Sequence, residues 1–495
     1  MCTDRFATRF GQPAIDNKQD VEVVSGSENG TFTTLVFKRK LVSCDPEDRT
    51  IDESTIRVIY SYRDGDPDTP TGVSYHGNQR GTKSIQLLSS QASQNNPIMP
   101  SDAVTHDLLN NKVKVPGKDT TYWCQGFKVP KASKVHHMIK YEPVIQPGHE
   151  ALVHHILVYA CYHDVQDADL YHNRGVECYS GNMPPTLRQC FKPIIAWAIG
   201  GGAFYYPEHV GYPFGDKDSP TFLIMETHYD NPQERSDYVD SSGIRVTVIP
   251  RRRQFDADVI EAGVSVNHNH VIPPHYPEFY SWGHCNSQCL SKALVSQPSG
   301  IKVFGTMLHG HLKTTGVRVR HFRNEKELPL LTYDDQYDFN YQEARHMKSE
   351  RVIKSGDSIL VQCRYKTTDE TDITYGGLTT KEEMCLAYLL YYPKISLKGC
   401  KSQNRQQELG QIANALTTPA NSGSGNFHSL LAQKVDWTDQ STRETFQERV
   451  LSGRRRHQCE YHDKTEYLTL PALKNAKPST GPVTTCSVSG GSLIG

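Results

Sequence analysis

The sequence predicts an all-β protein built of antiparallel β-sandwich domains, and three observations carry that prediction. Apolar and polar residues alternate over short runs at 33–37, 56–60, 152–160, 222–228, 301–307, 317–320 and 359–361. An alternation of period two sets one face of a strand toward a core and the other toward solvent. The runs are bounded by Gly, Pro, Asn and Asp, whose backbone preferences favour turns. Long amphipathic helical patterns are scarce and no repeat of fixed period is present, so packed sheets are the expected way to bury the apolar faces.

A chain of 495 residues exceeds what one hydrophobic core usually serves and implies roughly two to four domains. Two polar segments, 89–111 and 417–425, read as boundaries around a large middle. The formal net charge of -1 leaves no basic footprint, which argues against nucleic acid and against an anionic membrane surface as partners. Arg251-Arg252-Arg253 and Arg454-Arg455-Arg456 read as solvated surface turns, the second also as a candidate processing site. No apolar run is long enough to span a bilayer, so membrane association is not indicated. The start, Met1-Cys2-Thr3-Asp4-Arg5, lacks the apolar core of a signal peptide, and the expectation is that the sequence begins inside a longer protein.

Thirteen cysteines, mostly without close paired spacing, argue for disulfides formed in an oxidising compartment. Cys285 and Cys289 could open a zinc site, but no second half follows at finger-like spacing. Asn29-Gly30-Thr31 is a glycosylation sequon. Together these place the protein in the secretory pathway, in the endoplasmic reticulum or outside the cell.

The residues that bear chemistry fall into two sets. His154-His155 with His228, and His309-Gly310-His311 with Met384, read as ligands of two different metal ions, one of them bound through a thioether. Methionine sulfur is a soft, weak donor that suits copper(I) and offers little to zinc, magnesium or calcium, so the chain reads as a redox copper protein. Residues two apart on a strand project from one face; His309 and His311 can therefore converge on one ion, with Gly310 leaving the backbone unobstructed. Adjacent residues on a regular strand point to opposite faces. His154 and His155 can share an ion only at a strand end or twist, or through different ring nitrogens. His228 closes its alternating run and can be delivered from a strand end.

With 22 histidines in the chain, chance pairs are common, and His136-His137 and His268-Asn269-His270 are rivals of the same form. The second precedes Pro273-Pro274 and reads as a loop; the first heads the predicted strand 138–145 and spacing alone does not exclude it. Met384 by itself would read as a core residue filling a gap.

Five motifs in order then carry a family resemblance. Tyr122-Trp123-Cys124, Glu150-Ala151-Leu152-Val153-His154-His155, Glu226-Thr227-His228-Tyr229-Asp230-Asn231-Pro232, Leu308-His309-Gly310-His311-Leu312 and Glu383-Met384-Cys385 resemble the copper type II, ascorbate-dependent monooxygenases. Within that family, 136–145 and 196–201 resemble the DBH-like monooxygenases. The likeness covers roughly residues 20 to 410.

The resemblance implies that His154, His155 and His228 bind an electron-supplying copper, and that His309, His311 and Met384 bind the copper that activates oxygen. It implies two consecutive jelly-roll-like sandwiches, at 103–235 and 250–410. They would be preceded by a truncated DOMON sandwich at 1–88 and a linker at 89–102, and followed by a disulfide-tethered tail at 411–495. The family's bridges carry over onto Cys124 with Cys178, Cys161 with Cys190, Cys285 with Cys400, and Cys363 with Cys385. The dopamine beta-hydroxylase pattern adds Cys289 with Cys459 and Cys44 with Cys486, leaving Cys2 over. Tyr122 and His309 match positions treated as catalytic, and Tyr388 matches a tyrosine near the substrate pocket. For Tyr122 the structural alternative is packing under a disulfide, and for Tyr388 it is a core tyrosine on an apolar run.

The activity implied is hydroxylation of a substrate C–H bond with O2, two copper ions as cofactors and ascorbate as reductant, one oxygen atom entering the substrate and the other leaving as water. Partners are a small-molecule substrate and O2, with self-association left open. The dopamine enzymes resemble His-His-Met-Glu where this chain has His154-His155-Ile156-Leu157. The missing acid weakens a catecholamine assignment and leaves a phenylethylamine-like amine as the candidate substrate. Peptide amidation fits less well, since no lyase-like domain follows. Two other classes stand beside this reading: a secreted, non-catalytic β-sandwich binding protein, which would not need six metal ligands, and an electron-transfer copper protein, which would need a free cysteine thiolate.

Overall fold

The computed structural model describes residues 3–65, 69, 72–88, 97–129, 134–190, 192–199, 201–215, 219–417, 426–473 and 477–478. Residues 1–88 with 477–495 form one compact unit, and residues 89–476 form a second, larger one. In the smaller unit Val21–Glu28 and Thr33–Arg39 make an antiparallel hairpin, and Ile56–Ser61 pairs with Arg80–Ile85. The hairpin tip carries the exposed Asn29. Its Oδ1 accepts from the amides of Thr31 at 3.1 Å and Phe32 at 2.9 Å, the side-chain turn expected of Asn, and Gly30 supplies the positive φ of 77°.

The larger unit contains two sandwiches. In the first, Phe255–Asp256, Val210–Phe214, His136–Val144, Gly243–Ile249 and Val104–Leu109 lie in that order in one sheet. The other sheet runs Gly175–Glu177, Thr120–Lys128, Phe222–Asp230, Val153–Cys161, Lys192–Ala198. Inward residues of both sheets, among them Met138, Tyr141, Ile156, Val158, Tyr212 and Met225, share one core. In the second, a four-stranded sheet of Phe279–Cys285, Asp357–Tyr365, Thr314–Arg323 and Lys326–Asp334 is accompanied by a seven-stranded one. That sheet runs Arg345–Ile353, Ile301–His309, Leu386–Tyr392, Asp258–Val264, Leu397–Asn404, Arg455–Tyr461, Thr465–Leu470. Pairing is antiparallel apart from Asp258–Val264 beside Leu397–Asn404 and Val210–Phe214 beside Phe255–Asp256.

The segment read as a tail is more regular than its sequence pattern indicated. Two of its strands extend the seven-stranded sheet, and helices Gln406–Leu416, Phe427–Gln433 and Gln440–Ser452 bury Leu409, Ile412, Leu430 and Phe446 in the second core. Helices this short gain most of their stability from such packing rather than from local propensity, so the sequence shows them only weakly. The surface-turn reading of Arg454-Arg455-Arg456 is corrected by the same strands. Alternation along Arg455–Tyr461 turns Arg455 inward, at 2% exposure, where Nη2 donates to the Val450 carbonyl at 3.1 Å, while Arg454 and Arg456 stay exposed.

Disulfides join Cys124 to Cys178, Cys161 to Cys190, Cys285 to Cys400, Cys289 to Cys459 and Cys363 to Cys385. Oxidised sulfur removes the zinc reading of Cys285 and Cys289. Cys486 and Cys2 lie outside the described residues. Among the described residues no helix is long and apolar enough to cross a membrane.

Two predictions follow from this packing. Phe446 is fully buried, with its ring 5.1 Å from Trp437 and 6.2 Å from Phe279; Phe446→Ala should destabilise the larger unit by about 3–5 kcal/mol, read by denaturant unfolding. His284 and His457 sit ring to ring at 5.2 Å, and burial pushes them down to about 3 and about 4. An unfolded imidazole titrates near pH 6.5, so below that pH the unfolded chain binds more protons than the folded one. Stability is therefore complete above about pH 6.5 and falls on acidification toward about 3. Melting temperature should drop across that window, and His284→Phe should flatten the slope.

Candidate metal centres

The first histidine set is assembled across three adjacent strands. His155 stands opposite His228, and His228 opposite Tyr122. The pairing of Val153–Cys161 with Phe222–Asp230 shifts register between Val153 and His155, a bulge that leaves His154 as the extra residue. A bulge re-aims a side chain that a regular strand would send to the other face, and this resolves the conflict raised by two adjacent histidines. His154 Nδ1 and His228 Nδ1 each lie 3.3 Å from His155 Nδ1, and the three rings place ligand atoms within 4.8 Å of one another. All three residues are buried. Burial lowers the affinity of each for protons, His228 to about 3, so each keeps a neutral nitrogen available. Three convergent imidazole nitrogens with no carboxylate among them fit a copper or zinc ion.

The second set is built differently from the expectation that His309 and His311 share a strand face. The strand Ile301–His309 ends at His309, and His311 lies in the turn beyond it. That turn is fixed by the fully buried carboxylate of Glu383, which the sequence shows only as the neighbour of Met384 in a family motif. Its Oε2 accepts from the amide of His311 at 2.9 Å, the hydroxyl of Thr314 at 3.0 Å and the amide of Met384 at 3.1 Å, and Oε1 accepts from the amide of Lys313 at 2.6 Å. One side chain thus ties the His311 turn to the Met384 backbone. Gly310 is required here, since a Cβ would meet Thr314 Oγ1 at 2.3 Å. Tyr337 Oη accepts from the Gly310 amide at 3.0 Å and donates to its carbonyl at 2.9 Å.

Ring tautomers follow from these partners. His309 Nδ1 donates to Gln342 Oε1 at 2.5 Å, which leaves Nε2 bare and 3.1 Å from Met384 Sδ. His311 Nδ1 donates to the Glu382 carbonyl at 2.9 Å, which frees its Nε2, and the two imidazole centroids are 5.3 Å apart. Burial pushes His309 down to about 3 and lowers His311. Two neutral imidazoles with a thioether make a soft donor set suited to copper(I). The Cys363–Cys385 disulfide holds the residue after Met384, and Tyr365 Oη donates to the Met384 carbonyl at 3.0 Å.

The remaining candidates separate by position. Tyr122 stacks on His228, centroids 4.5 Å apart and planes at 13°, which places it beside the first set. Tyr388 lies 6.4 Å from His309, ring to ring. His137 is satisfied on both nitrogens, Nδ1 accepting from the Arg253 amide at 3.0 Å and Nε2 donating to Asp256 at 2.8 Å, so it is no ligand. His270 bonds Ser281 Oγ at 2.8 Å, and His268 lies in the turn outside both sets. Glu226 approaches Cys124 and Cys178 within 4.8 Å, but a disulfide offers no thiolate to a metal.

His309, Met384 and Tyr388 open onto a cavity of about 890 Å³, whose wall also carries Leu157, Met307 and Glu226. Glu226 accepts from Tyr179 Oη at 2.5 Å. Where the dopamine-enzyme pattern has an acid this chain has Leu157, and its partner on the neighbouring strand, Glu226, lines the same cavity.

Residues 106–236 match the copper type II ascorbate-dependent monooxygenase N-terminal domain, residues 255–413 its C-terminal domain, and residues 1–63 the DOMON domain. The chain belongs to the copper type II, ascorbate-dependent monooxygenase family. It is 48% identical over 388 residues to DBH-like monooxygenase protein 1 of Gallus gallus, covering 78% of this chain and 62% of that protein. Identity to the Homo sapiens protein of the same name is 47% over 81% of this chain and 64% of that one. Dopamine beta-hydroxylase of Homo sapiens is 35% identical over 81% of this chain and 64% of its own length. The chain therefore spans a little under two thirds of these curated relatives. Copper and ascorbate are the cofactors of the family.

The Gln342 contact yields a test. Gln342→Leu should weaken copper binding by the His309, His311 and Met384 set about 10–100-fold, as expected when the partner that orients a ligand is lost, while binding by the His154 set holds, as read by competitive copper titration.

Proposed function

We propose that the chain hydroxylates a C–H bond of a small substrate, with His154, His155 and His228 holding one copper and His309, His311 and Met384 the other. The observation that carries the reading is the position of His309 and Met384 on the wall of a cavity large enough for a small molecule. Copper in a mixed imidazole and thioether site supplies redox reactivity toward O2, with ascorbate as the source of electrons. The protein's own residues do the rest. Gln342 and the Glu382 carbonyl fix which ring nitrogen each histidine presents. Glu383 holds the His311 turn against Met384. Leu157, Met307 and Leu386 give the cavity an apolar wall, and Glu226 with Tyr159 and Tyr179 gives it an acidic, hydrogen-bonding corner, while Glu261 and Glu460 line it beside Lys192, Lys398 and Lys401. That combination suits a small aromatic amine, its ring against the apolar wall and its ammonium toward Glu226.

The alternatives fare less well on the same observations. An electron-transfer copper protein needs a thiolate ligand, and Cys385 is tied up in a disulfide. A binding protein without catalysis has no use for two convergent, neutral donor sets.

Full-length protein should take up nearly two copper ions per chain and consume O2 with ascorbate when phenylethylamine-like substrates are supplied. His309→Ala and Met384→Ala should abolish hydroxylated product with the fold intact. Uptake of zinc alone, or unchanged turnover in Met384→Ala, would refute the reading.

A further inference from the structure

Leu378 reaches the wall of the cavity from the loop that joins Thr374–Tyr375 to Leu386–Tyr392 and that also carries Met384. It is 48% exposed, so its isobutyl group meets solvent on one side and the cavity on the other, which places it on the rim. A lone exposed leucine on an open surface needs no ligand. Among the described residues, however, no other aliphatic side chain that lines this cavity is exposed. At the acidic corner the exposed residue is Tyr179, whose hydroxyl turns in to Glu226. The rim thus offers an apolar lip at one place and a hydrogen-bonded acid at another.

The loop holds that lip in a fixed position. The Gly376 amide donates to the His270 carbonyl at 2.8 Å and the Gly377 amide to the Glu383 carbonyl at 3.2 Å. On the other side of Leu378, the Thr379 amide and hydroxyl donate to Glu382 Oε2 at 3.0 and 3.1 Å, and the Glu382 amide donates back to the Thr379 carbonyl at 3.0 Å. Thr and Glu three apart make a similar reciprocal clasp at helix starts. Neither glycine has room for a side chain. A Cβ at Gly376 would meet the Asn267 carbonyl oxygen at 2.6 Å, and one at Gly377 the Glu382 carboxylate at 2.0 Å. The Glu382 carbonyl in turn accepts from His311 Nδ1, so the clasp beside Leu378 and the bond that orients a ligand ring meet in one residue.

We propose that Leu378 is a specificity-determining residue, an apolar lip that the ring of the substrate covers on binding. Covering a half-exposed leucine takes its remaining apolar surface out of water, which favours an apolar group there and gives nothing to a polar one. Such a contact is as strong before the reaction as during it, so it acts on KM and leaves kcat alone. The clasp matters because a lip held in place discriminates by shape, whereas a mobile one would follow whatever is bound.

The inference deepens the aromatic-amine reading and rests on it, and the test separates the two. Copper-loaded wild type, Leu378→Asn and Leu378→Met are compared with 2-phenylethylamine and n-propylamine, which share the amine and differ in the ring. Dissociation constants are measured without O2, and KM and kcat with ascorbate and O2. Val295→Ala removes an 82% exposed apolar side chain outside the cavity and serves as the control. In Leu378→Asn the dissociation constant and KM for 2-phenylethylamine should rise about 5- to 10-fold, with n-propylamine binding, kcat and melting temperature held. Leu378→Met should stay near wild type, and Val295→Ala should change nothing. If Leu378→Asn keeps the wild-type preference for the ring, the role of Leu378 is overturned and the substrate reading stands. A loss shared equally by both amines, or a lowered melting temperature, marks a disturbed loop and overturns it too. If wild type binds neither amine, the aromatic-amine reading falls and this inference with it.

Discussion

Several imidazoles brought within a few ångströms of one another in a protein interior cannot carry charge, because burial and mutual repulsion both oppose protonation. That constraint governs the centre of this molecule. His154, His155, His228, His309 and His311 are all driven toward the neutral form chiefly by burial. Neutral imidazole is the form that ligates metals, so the same desolvation that excludes charge prepares the donors. Among the partners of these rings are the Gln342 and Glu382 carbonyl oxygens, the Met384 thioether and the stacked ring of Tyr122.

Delivering such rings demands exceptions to regular sheet geometry. A bulge turns His154 to the side of His155, and a strand end releases His311 into a turn. Each exception is stabilised by buried hydrogen bonding, most clearly at Glu383. Its carboxylate is surrounded by four donors that favour its ionised form, set against a burial that pushes it up to about 7. A buried polar group in a network of this kind specifies one arrangement because any other leaves donors unpaired.

The sandwiches provide the rigid frame on which these exceptions rest. In the second, the seven-stranded sheet carries both His309 and the strand that follows Met384, while disulfides tie the Met384 region and the segment after residue 404 back to the core. In the first, Tyr122 stacks on His228 and closes one side of the ligand set.

How much of this was legible depends on the range of the physics. Strands at 152–160, 222–228, 301–307 and 359–361 could be read from alternation because that signal reports which face each residue buries. The soft donor Met384 and the His309-Gly310-His311 spacing named a copper chemistry because ligand preference belongs to the side chain itself. The bulge at His154, the role of the Glu383 carboxylate and the amide of Gln342 left no such mark. Each depends on partners brought up from elsewhere in the chain, and an isolated Glu or Gln looks the same whether it faces solvent, a core or a ligand. Arg455 makes the point in reverse, since three consecutive arginines read as surface until pairing along a strand turned the middle one inward. Sequence determined the donors and the strands; tertiary structure decided which nitrogen the His309 and His311 rings present and which acids reach the cavity, because those depend on contacts made only after the sheets pack.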